Sequence, residues 1–345
     1  MKLRAIRGVK KLAARLRTRP SAEAVILAYH RIADVAVDPW GIAVSPRHFA
    51  EQLDALRRRR PVLSMRELVE RLGDGTLPPG AVALTFDDGY ADNLLNAKPL
   101  LERYDVPATV FVASGYVGAK RLFWWDRLQH LFLEPGILPR KLSIAVNGLW
   151  FERDLGDAAE YDGARYARHR SWRAGEPPPT TRHELYQSLW QILRPLPDSR
   201  QSDVLDQIAE WAGARSTYRK DERTISADEL AALTRGGLVD IGAHTVTHPL
   251  LSALAESAQY QEISDCQKAL ENVAGGRVNC FAYPYGDHSP ATASIVARLG
   301  FAAALTADRQ PASGHSLRFH LPRVVVDDLD GEGFSRWLDL HVNAA

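Results

Sequence analysis

Short apolar segments alternate with longer amphipathic ones along most of the chain. The apolar segments are the length of strands and predict buried β-structure; they cover residues 24–30, 81–89, 107–114, 238–245, 280–286, 301–307 and 321–326. Several segments between them have helical periodicity and good helix propensity; these include residues 49–59, 91–104, 257–273 and 289–300. Strands that alternate with helices predict a parallel sheet or barrel, in which ligands bind at the carboxyl ends of the strands.

Residues 117–225 interrupt this alternation. The interval holds six of the eight tryptophans, namely Trp124, Trp125, Trp150, Trp172, Trp190 and Trp211. Within it, residues 142–153 predict a hairpin that turns on Asn147-Gly148, a pair favoured by type I′ turns, and two helical segments follow.

The main pattern restarts at Ser226, a helix N-cap that forms a capping box with Glu229. We therefore expect a barrel built from residues 21–116 and 226–345, with a tryptophan-rich α+β cap, residues 117–225, inserted between its elements.

Composition places the chain among ordinary globular proteins. It has 345 residues, of which 46% are hydrophobic and 25% charged, and a formal net charge of +1. A nucleic-acid-binding protein is normally basic over a whole domain, so no nucleic-acid partner is expected. Cys266 and Cys280 have no Cys or His companion at zinc-finger spacing and make no disulfide framework. We expect two reduced thiols.

The first 20 residues differ from the rest, with eight Lys or Arg and no acidic residue. Their apolar residues fall in one arc of a helix, and such a basic amphipathic helix suits the surface of an anionic membrane. The alternatives are a solvated tail or a helix packed on the barrel. No apolar run resembles a secretory signal or a membrane span. These features predict a cytoplasmic protein, peripheral on the inner face of the cell membrane.

Two adjacent aspartates, Asp87 and Asp88, end the strand segment at residues 81–89. His244 and His248 follow another strand segment and are four residues apart, so on a helical turn both rings would face one direction. Two imidazoles and one carboxylate can hold a divalent metal, and the second carboxylate could then accept a proton. Spacing alone does not say which aspartate has which role. Taken separately, the aspartate pair could simply form a turn, and the two histidines could simply be packed side chains.

The motifs "TFDDG", "HTVTH" and "YPYG", in that order, resemble the polysaccharide deacetylase family, which is carbohydrate esterase family 4 or the NodB-homology domain. The resemblance covers roughly residues 24–115 and 226–326. It implies a distorted (β/α) barrel of about seven parallel strands and metal-dependent removal of acetyl groups from N-acetylated sugars.

Matched by position, the resemblance makes Asp87 the general base and the backbone N–H of Tyr285 an oxyanion donor. It makes Asp88, His244 and His248 the metal ligands. Zn²⁺ is the expected metal, although such a triad also suits Fe²⁺, Co²⁺ or Ni²⁺.

The chain departs from the commonest family pattern in its acid and in the arginine that orients the base. An early histidine, His30 in "LAYHR", resembles the permuted arrangement of poly-N-acetylglucosamine deacetylases and is the expected acid; His320 is the alternative. Ala282 occupies the usual arginine position. Arg323 could substitute for that arginine, or could form a structural salt bridge. Asp308 is a candidate to orient the acid histidine.

The substrate prediction rests on the cap. Trp124, Trp125 and Asp126 follow a strand end, so we expect them to overhang the site, and Pro284 of "YPYG" is a fourth candidate to bind substrate. The alternative is that the tryptophans form the core of the cap. The expected substrate is an N-acetylated saccharide, either a surface polysaccharide or a lipid-linked sugar. A different class of function, a non-catalytic carbohydrate-binding protein on the same fold, is the alternative.

Overall fold

The computed structural model of the chain describes residues 23–214 and 222–342. The strands in these ranges are β1 Glu23–Tyr29, β2 Arg31–Ile32, β3 Ala43–Val44, β4 Ala81–Phe86, β5 Ala108–Val112, β6 Gly136–Ile137, β7 Lys141–Val146, β8 Leu149–Asp154, β9 Glu160–Tyr161, β10 Val239–Ala243, β11 Cys280–Ala282, β12 Ala303–Leu305, β13 Ala312–Ser313 and β14 Val324–Val325. The helices are α1 Pro46–Arg59, α2 Met65–Asp74, α3 Lys98–Tyr104, α4 Trp124–Leu133, α5 Gly163–His169, α6 Thr181–Leu193, α7 Asp198–Trp211, α8 Ala227–Leu233, α9 Glu256–Ala274, α10 Pro290–Arg298 and α11 Gly331–Val342.

Seven strands within the described ranges run parallel in one curled sheet, in the order β12-β11-β10-β5-β4-β1-β14. Strand β13 adds a short antiparallel pairing to the start of β1. The chain just before β14 also bonds to the opposite edge strand, because Leu321 N–H donates to Ala304 O and Thr306 N–H donates to Leu321 O. The sheet therefore curls back towards its own edge. The predicted distorted (β/α) barrel of about seven strands is confirmed.

Side chains of the barrel strands alternate between two apolar cores. In β1, Val25 and Leu27 belong to the larger core, which the surrounding helices cover, whereas Ala24 and Ile26 belong to a smaller one that includes residues of α2. Burial on both faces is what a parallel sheet requires and explains why these strands are continuous apolar runs in the sequence. It also orients the strand ends, and with them the polar residues that follow.

A third core lies in the segment that interrupts the barrel pattern. It is formed mainly by α4, α6, α7 and β7. Strands β7 and β8 form the expected hairpin, and its turn residues Asn147 and Gly148 have the positive φ values, 51° and 80°, that a type I′ turn requires. Most of the six tryptophans are buried or half-buried in or against this core, while Trp150 is 73% exposed. The bounds proposed for the insertion stay a prediction.

Residues 1–20 lie outside the described residues, so their predicted contact with a membrane, and the predicted cytoplasmic location, stay predictions. No helix in the described part of the chain is long and apolar enough to cross a membrane. Both cysteines, Cys266 and Cys280, are buried free thiols.

Candidate active site

The carboxyl ends of the parallel strands bring the candidate residues together. His30 follows β1, the Asp87-Asp88 pair follows β4, His244 follows β10, and Tyr285 lies just beyond β11. Together with His248 and Arg323 they line a single cavity of about 480 Å³. The general rule that ligands bind at this end of a parallel barrel therefore holds for the arrangement seen here.

Three side chains at the base of this cavity are spaced as metal ligands. The Oδ1 atom of Asp88 lies 3.3 Å from His248 Nε2 and 3.6 Å from His244 Nε2. The ligand atoms of all three residues lie within 4.8 Å of one another. Tetrahedral zinc with ligands at about 2.0–2.1 Å places those ligands about 3.3 Å apart. The spacing is therefore suited to one divalent cation.

The bonding of these side chains also fits a cation. Asp88 Oδ1 is buried and has no hydrogen-bond partner among residues 23–214 and 222–342. His244 Nδ1–H donates to the backbone oxygen of Ala282 at 2.8 Å, which leaves its Nε2 lone pair directed towards Asp88. Such a backbone acceptor behind a ligating imidazole is the usual way of fixing its tautomer. A cation would satisfy the carboxylate oxygen that the protein leaves unpaired.

Burial makes this cluster unfavourable without a positive ion. Burial, reinforced by Asp87, raises the pKa of Asp88 well above its ordinary value. Burial lowers the pKa of His244 to about 4, and it lowers the pKa of His248 well below the ordinary value. Both imidazoles are therefore neutral near pH 7, the form in which histidine binds metals.

The backbone at the site is unusual. Asp88, Thr245, His248 and Tyr285 all have positive φ, between 59° and 72°. Such values are uncommon outside glycine and cluster at functional sites. The predicted helical turn over residues 244–248 is therefore wrong: the two histidines converge through a left-handed loop.

A carboxylate on α9 holds this histidine loop in place. Glu262 accepts hydrogen bonds from the backbone N–H groups of Val246 and Thr247 and from the Thr247 hydroxyl, each at 2.8 Å. The loop thus depends on a residue that lies outside the motif.

Asp87 is held by Arg323 through two hydrogen bonds of 2.7 Å, one to each carboxylate oxygen. Both side chains are almost fully buried. Burial alone would raise the pKa of Asp87, but the charge of Arg323, helped by His244 and His30, outweighs it and holds the pKa well below the ordinary value. Asp87 is therefore ionised and fixed in orientation. The contact is the one expected if Arg323 substitutes for the missing arginine at position 282.

The two candidate acids lie in different environments. His30 lines the cavity, and its Nδ1 is buried without a partner in the described part of the chain. Burial lowers the pKa of His30, and Asp87 only partly offsets this effect. His320 does not line the cavity; it bonds to His288 at 2.7 Å and to Asp308 at 2.8 Å. Asp308 therefore contacts the alternative histidine and not His30.

The four residues predicted to contact substrate separate into two groups. Trp125 lines the cavity, and its ring centroid lies 4.8 Å from that of His248. Trp124, Asp126 and Pro284 are buried and are not part of the lining. Trp124 Nε1–H donates to the Tyr285 hydroxyl at 3.2 Å. The expectation that Trp124 and Asp126 overhang the site is not met, because Trp124 packs in the cap core and Asp126 is buried on the same helix.

Asp126 has a structural environment instead. Its carboxylate accepts a hydrogen bond of 2.9 Å from the hydroxyl of Tyr90. That hydroxyl also accepts one from Trp125 Nε1, at 2.9 Å. Asp126 therefore holds Trp125 indirectly, through the Tyr90 hydroxyl.

Sequence reasoning missed several residues of the cavity wall, four of which are large aromatic or basic side chains that bear on function. These four are Trp40, Trp190, Arg194 and Arg309. Trp40 and Trp190 pack with ring centroids 4.2 Å apart. The sequence offered one weak signal, since Trp190 lies in a predicted helical segment and Arg194 follows that segment directly. Nothing local connected them to Trp40 or to the barrel.

Comparison with known proteins agrees with this geometry. The family profile described as "Polysaccharide deacetylase" matches residues 74–137 and 206–304, which contain Asp87, Asp88, both histidines and Tyr285. Over these two segments the chain matches the polysaccharide deacetylase family.

The curated relatives match over limited lengths. The poly-β-1,6-N-acetyl-D-glucosamine N-deacetylase of Staphylococcus aureus is 28% identical over 117 residues, which cover 33% of this chain and 38% of that protein. Bacillus subtilis YxkH is 30% identical over 82 residues, 23% of this chain and 29% of the relative. The matched stretch thus spans about a third of each relative.

Two solved structures share the fold over most of the chain. The Streptococcus pyogenes deacetylase PplD, in complex with acetate, aligns with a TM-score of 0.58 and 18% identity over 92% of this chain and 98% of that one. IcaB from Ammonifex degensii aligns with a TM-score of 0.56 and 19% identity over 92% of this chain and 97% of that one. At these identities the likeness concerns the fold.

Proposed function

We propose that the protein is a metal-dependent N-deacetylase that removes acetyl groups from an N-acetylated saccharide. One observation carries the proposal: the three ligand-spaced side chains of Asp88, His244 and His248 share a cavity with Asp87, a carboxylate that Arg323 keeps ionised. Neither a surface ion pair nor a histidine packed in the core requires a metal-ligand triad and an ionised carboxylate in the same cavity. The name of the Staphylococcus aureus relative supports a poly-N-acetylglucosamine as one substrate to test.

Asp88, His244 and His248 would hold the cation. A bound divalent cation supplies a Lewis acid that polarises the amide carbonyl and acidifies water at the site. Asp87 accepts a proton from the attacking water, since each of its oxygens keeps a lone pair beyond its bond to Arg323. The backbone N–H of Tyr285 donates to the carbonyl oxygen as negative charge develops there.

His30 delivers a proton to the sugar nitrogen as the C–N bond breaks. Burial lowers the pKa of His30, so the ring is neutral near pH 7 and takes up the proton removed from the attacking water before it donates to the amine. Acetate and the free amine are the products, so one water is consumed for each amide bond broken.

Acetate release from N-acetylated oligosaccharides tests this proposal. The panel should include β-1,6-linked N-acetylglucosamine oligomers, and each reaction should be run with and without chelator. We expect release by the wild type, loss with chelator that zinc restores, and loss in Asp87→Asn. Asp327→Asn, which removes an exposed carboxylate outside the cavity, is the matched control and should keep activity.

Two outcomes would contradict the proposal. Undiminished release by Asp87→Asn would remove that residue from the base role. Saccharide binding without acetate release across the panel would favour the non-catalytic carbohydrate-binding alternative.

The proposal extends to where the enzyme works. The basic segment 1–20 would hold it at an anionic membrane surface on the cytoplasmic side, where a lipid-linked saccharide is accessible. Sedimentation with phosphatidylglycerol vesicles tests this. We expect the full chain to bind at low salt and a chain with its eight N-terminal Lys and Arg changed to Gln to stay in solution. Equal sedimentation of both would contradict membrane contact.

A further inference from the structure

Two arginines of the cavity wall have no acidic partner. Arg194, just after α6, and Arg309, after β12, both line the cavity. Neither forms a salt bridge or a side-chain hydrogen bond with any described residue. Arg194 Nε is buried without a partner within residues 23–214 and 222–342. A buried guanidinium donor is normally paired, and Arg194 as a whole is only half-buried, so its donors are available for a ligand.

Arg194 is held in place by aromatic faces. Its guanidinium carbon lies 4.8 Å from the ring centroid of Tyr285 and 5.3 Å from that of Trp190. Cation–π contacts of this kind fix the direction of the guanidinium without using its N–H donors. Tyr285 in turn packs against His248, with ring centroids 4.6 Å apart. Arg194 therefore lies only one ring from the predicted metal ligands.

The charge of the cavity is not balanced by its own residues. The lining contains two carboxylates, Asp87 and Asp88, and three arginines, Arg194, Arg309 and Arg323. Arg323 neutralises Asp87, and Asp88 belongs to the triad that would bind the cation. Arg194 and Arg309 are left as excess positive charge in a concave site, and water screens the half-buried Arg194 less than the exposed Arg309.

From this arrangement we infer that the substrate carries an anionic group, a carboxylate or a phosphate, close to the acetylated sugar. This inference rests on the proposed deacetylase function and specifies its substrate class. The planar fork of Arg194 suits either oxyanion, because both accept two parallel hydrogen bonds. Trp40 and Trp190 would cover an apolar sugar face beside that group.

Binding of three matched saccharides to the full-length protein, in chelator so that none is consumed, tests the inference. The probes are the neutral disaccharide of N-acetylglucosamine, the disaccharide of N-acetylglucosamine and glucuronic acid, and N-acetylglucosamine 1-phosphate. Isothermal titration calorimetry measures each Kd. We expect at least one anionic probe to bind 10-fold or more tightly than the neutral one, and the preference to shrink in high salt. The tighter of the two anionic probes distinguishes carboxylate from phosphate.

Substitutions of the two arginines test whether they cause the preference for anionic probes. Arg194→Gln and Arg309→Gln should each reduce the preference at least 3-fold while changing the Kd of the neutral disaccharide less than 3-fold. Arg194→Lys should retain most of it. Arg298→Gln, which removes an exposed charge outside the cavity, is the control and should change nothing. Arg309 is exposed, so we expect Arg309→Gln to fold. This holds even if Arg194→Gln disturbs the cap by removing the contacts of Arg194 with the aromatic rings.

Equal affinity of the wild type for all three probes would overturn the inference, as would a preference that survives in the Arg194→Gln/Arg309→Gln double variant. Acetate release from the neutral disaccharide, measured separately with zinc, keeps the two proposals apart. Release without any anion preference contradicts only the inference. Anion-selective binding without release contradicts only the proposed deacetylase function.

Discussion

Replacing Arg323 by leucine would leave Asp87 as a buried carboxylate with no guanidinium beside it. Arg323 is 2% exposed and Asp87 5% exposed, and two hydrogen bonds of 2.7 Å join them. The same substitution removes a bond from Arg323 Nε–H to Thr306 O at 3.0 Å and one from Nη1–H to Thr85 Oγ1 at 3.2 Å. The change therefore removes four hydrogen bonds and leaves the charge of Asp87 buried without a partner.

Breaking a buried ion pair by removing one partner costs about 3–5 kcal/mol, because the remaining charge is uncompensated. Leucine fills part of the lost volume, so we expect Arg323→Leu to lower the free energy of unfolding by about 4 kcal/mol. Adding Asp87→Asn removes the stranded charge. The double variant should therefore be about 2 kcal/mol more stable than Arg323→Leu alone, a coupling within the range seen for residues in contact.

Urea unfolding followed by tryptophan fluorescence measures these differences. Chelator should be present so that no cation compensates Asp87. Arg336→Leu breaks an exposed ion pair with Glu332 and, as the control, should change stability by less than about 0.5 kcal/mol. A double variant less stable than Arg323→Leu would contradict this prediction, because it would mean that the buried charge of Asp87 imposes no penalty.

Two further predictions concern stability. Burial would lower the pKa of His130, but Glu134 and Glu222 outweigh it and raise the pKa to about 9. Since the folded pKa exceeds the unfolded value of about 6.5, the stabilisation of about 3 kcal/mol is complete below pH 6.5 and is lost as the pH rises towards 9. When the free energy of unfolding is measured with urea at a series of pH values, His130→Gln should remove its fall between pH 6.5 and 9. The same fall in the variant and the wild type would contradict the prediction. On β10, a Cβ at Gly242 would overlap a phenylalanine ring of β5, so Gly242→Ala should cost about 1–3 kcal/mol. Gly276→Ala, with no atom within 4 Å of the new Cβ, should leave the thermal midpoint unchanged; equal midpoints would contradict the account.

Alternation of apolar and amphipathic segments predicted the barrel well because its strands are buried on both faces. The same rule placed His30, Asp87 and His244 at strand ends, and the parallel topology then forced those ends together. Arg323 was a candidate partner for Asp87 because it belongs to another predicted strand, and a structural salt bridge was the alternative.

Other features depend on contacts that leave no local pattern. The left-handed conformation at Thr245 and His248 cannot be read from an H-x-x-x-H spacing, which is equally compatible with a helix. Asp126 is polar and close in sequence to Trp125, yet its partner is the buried Tyr90 hydroxyl. Arg194 reaches the cavity only because the cap folds over the barrel, so its importance depends on tertiary packing.

The central claim is that Asp88, His244 and His248 hold one divalent cation. Calorimetric titration of zinc into the full-length, metal-stripped protein tests it most directly, with His288→Ala as a control that removes a histidine outside the triad. We expect one zinc per chain for the wild type and the control, and an affinity at least 100-fold lower for Asp88→Asn and His248→Ala. Unchanged zinc affinity in those two variants, or no zinc binding by the wild type, would contradict it.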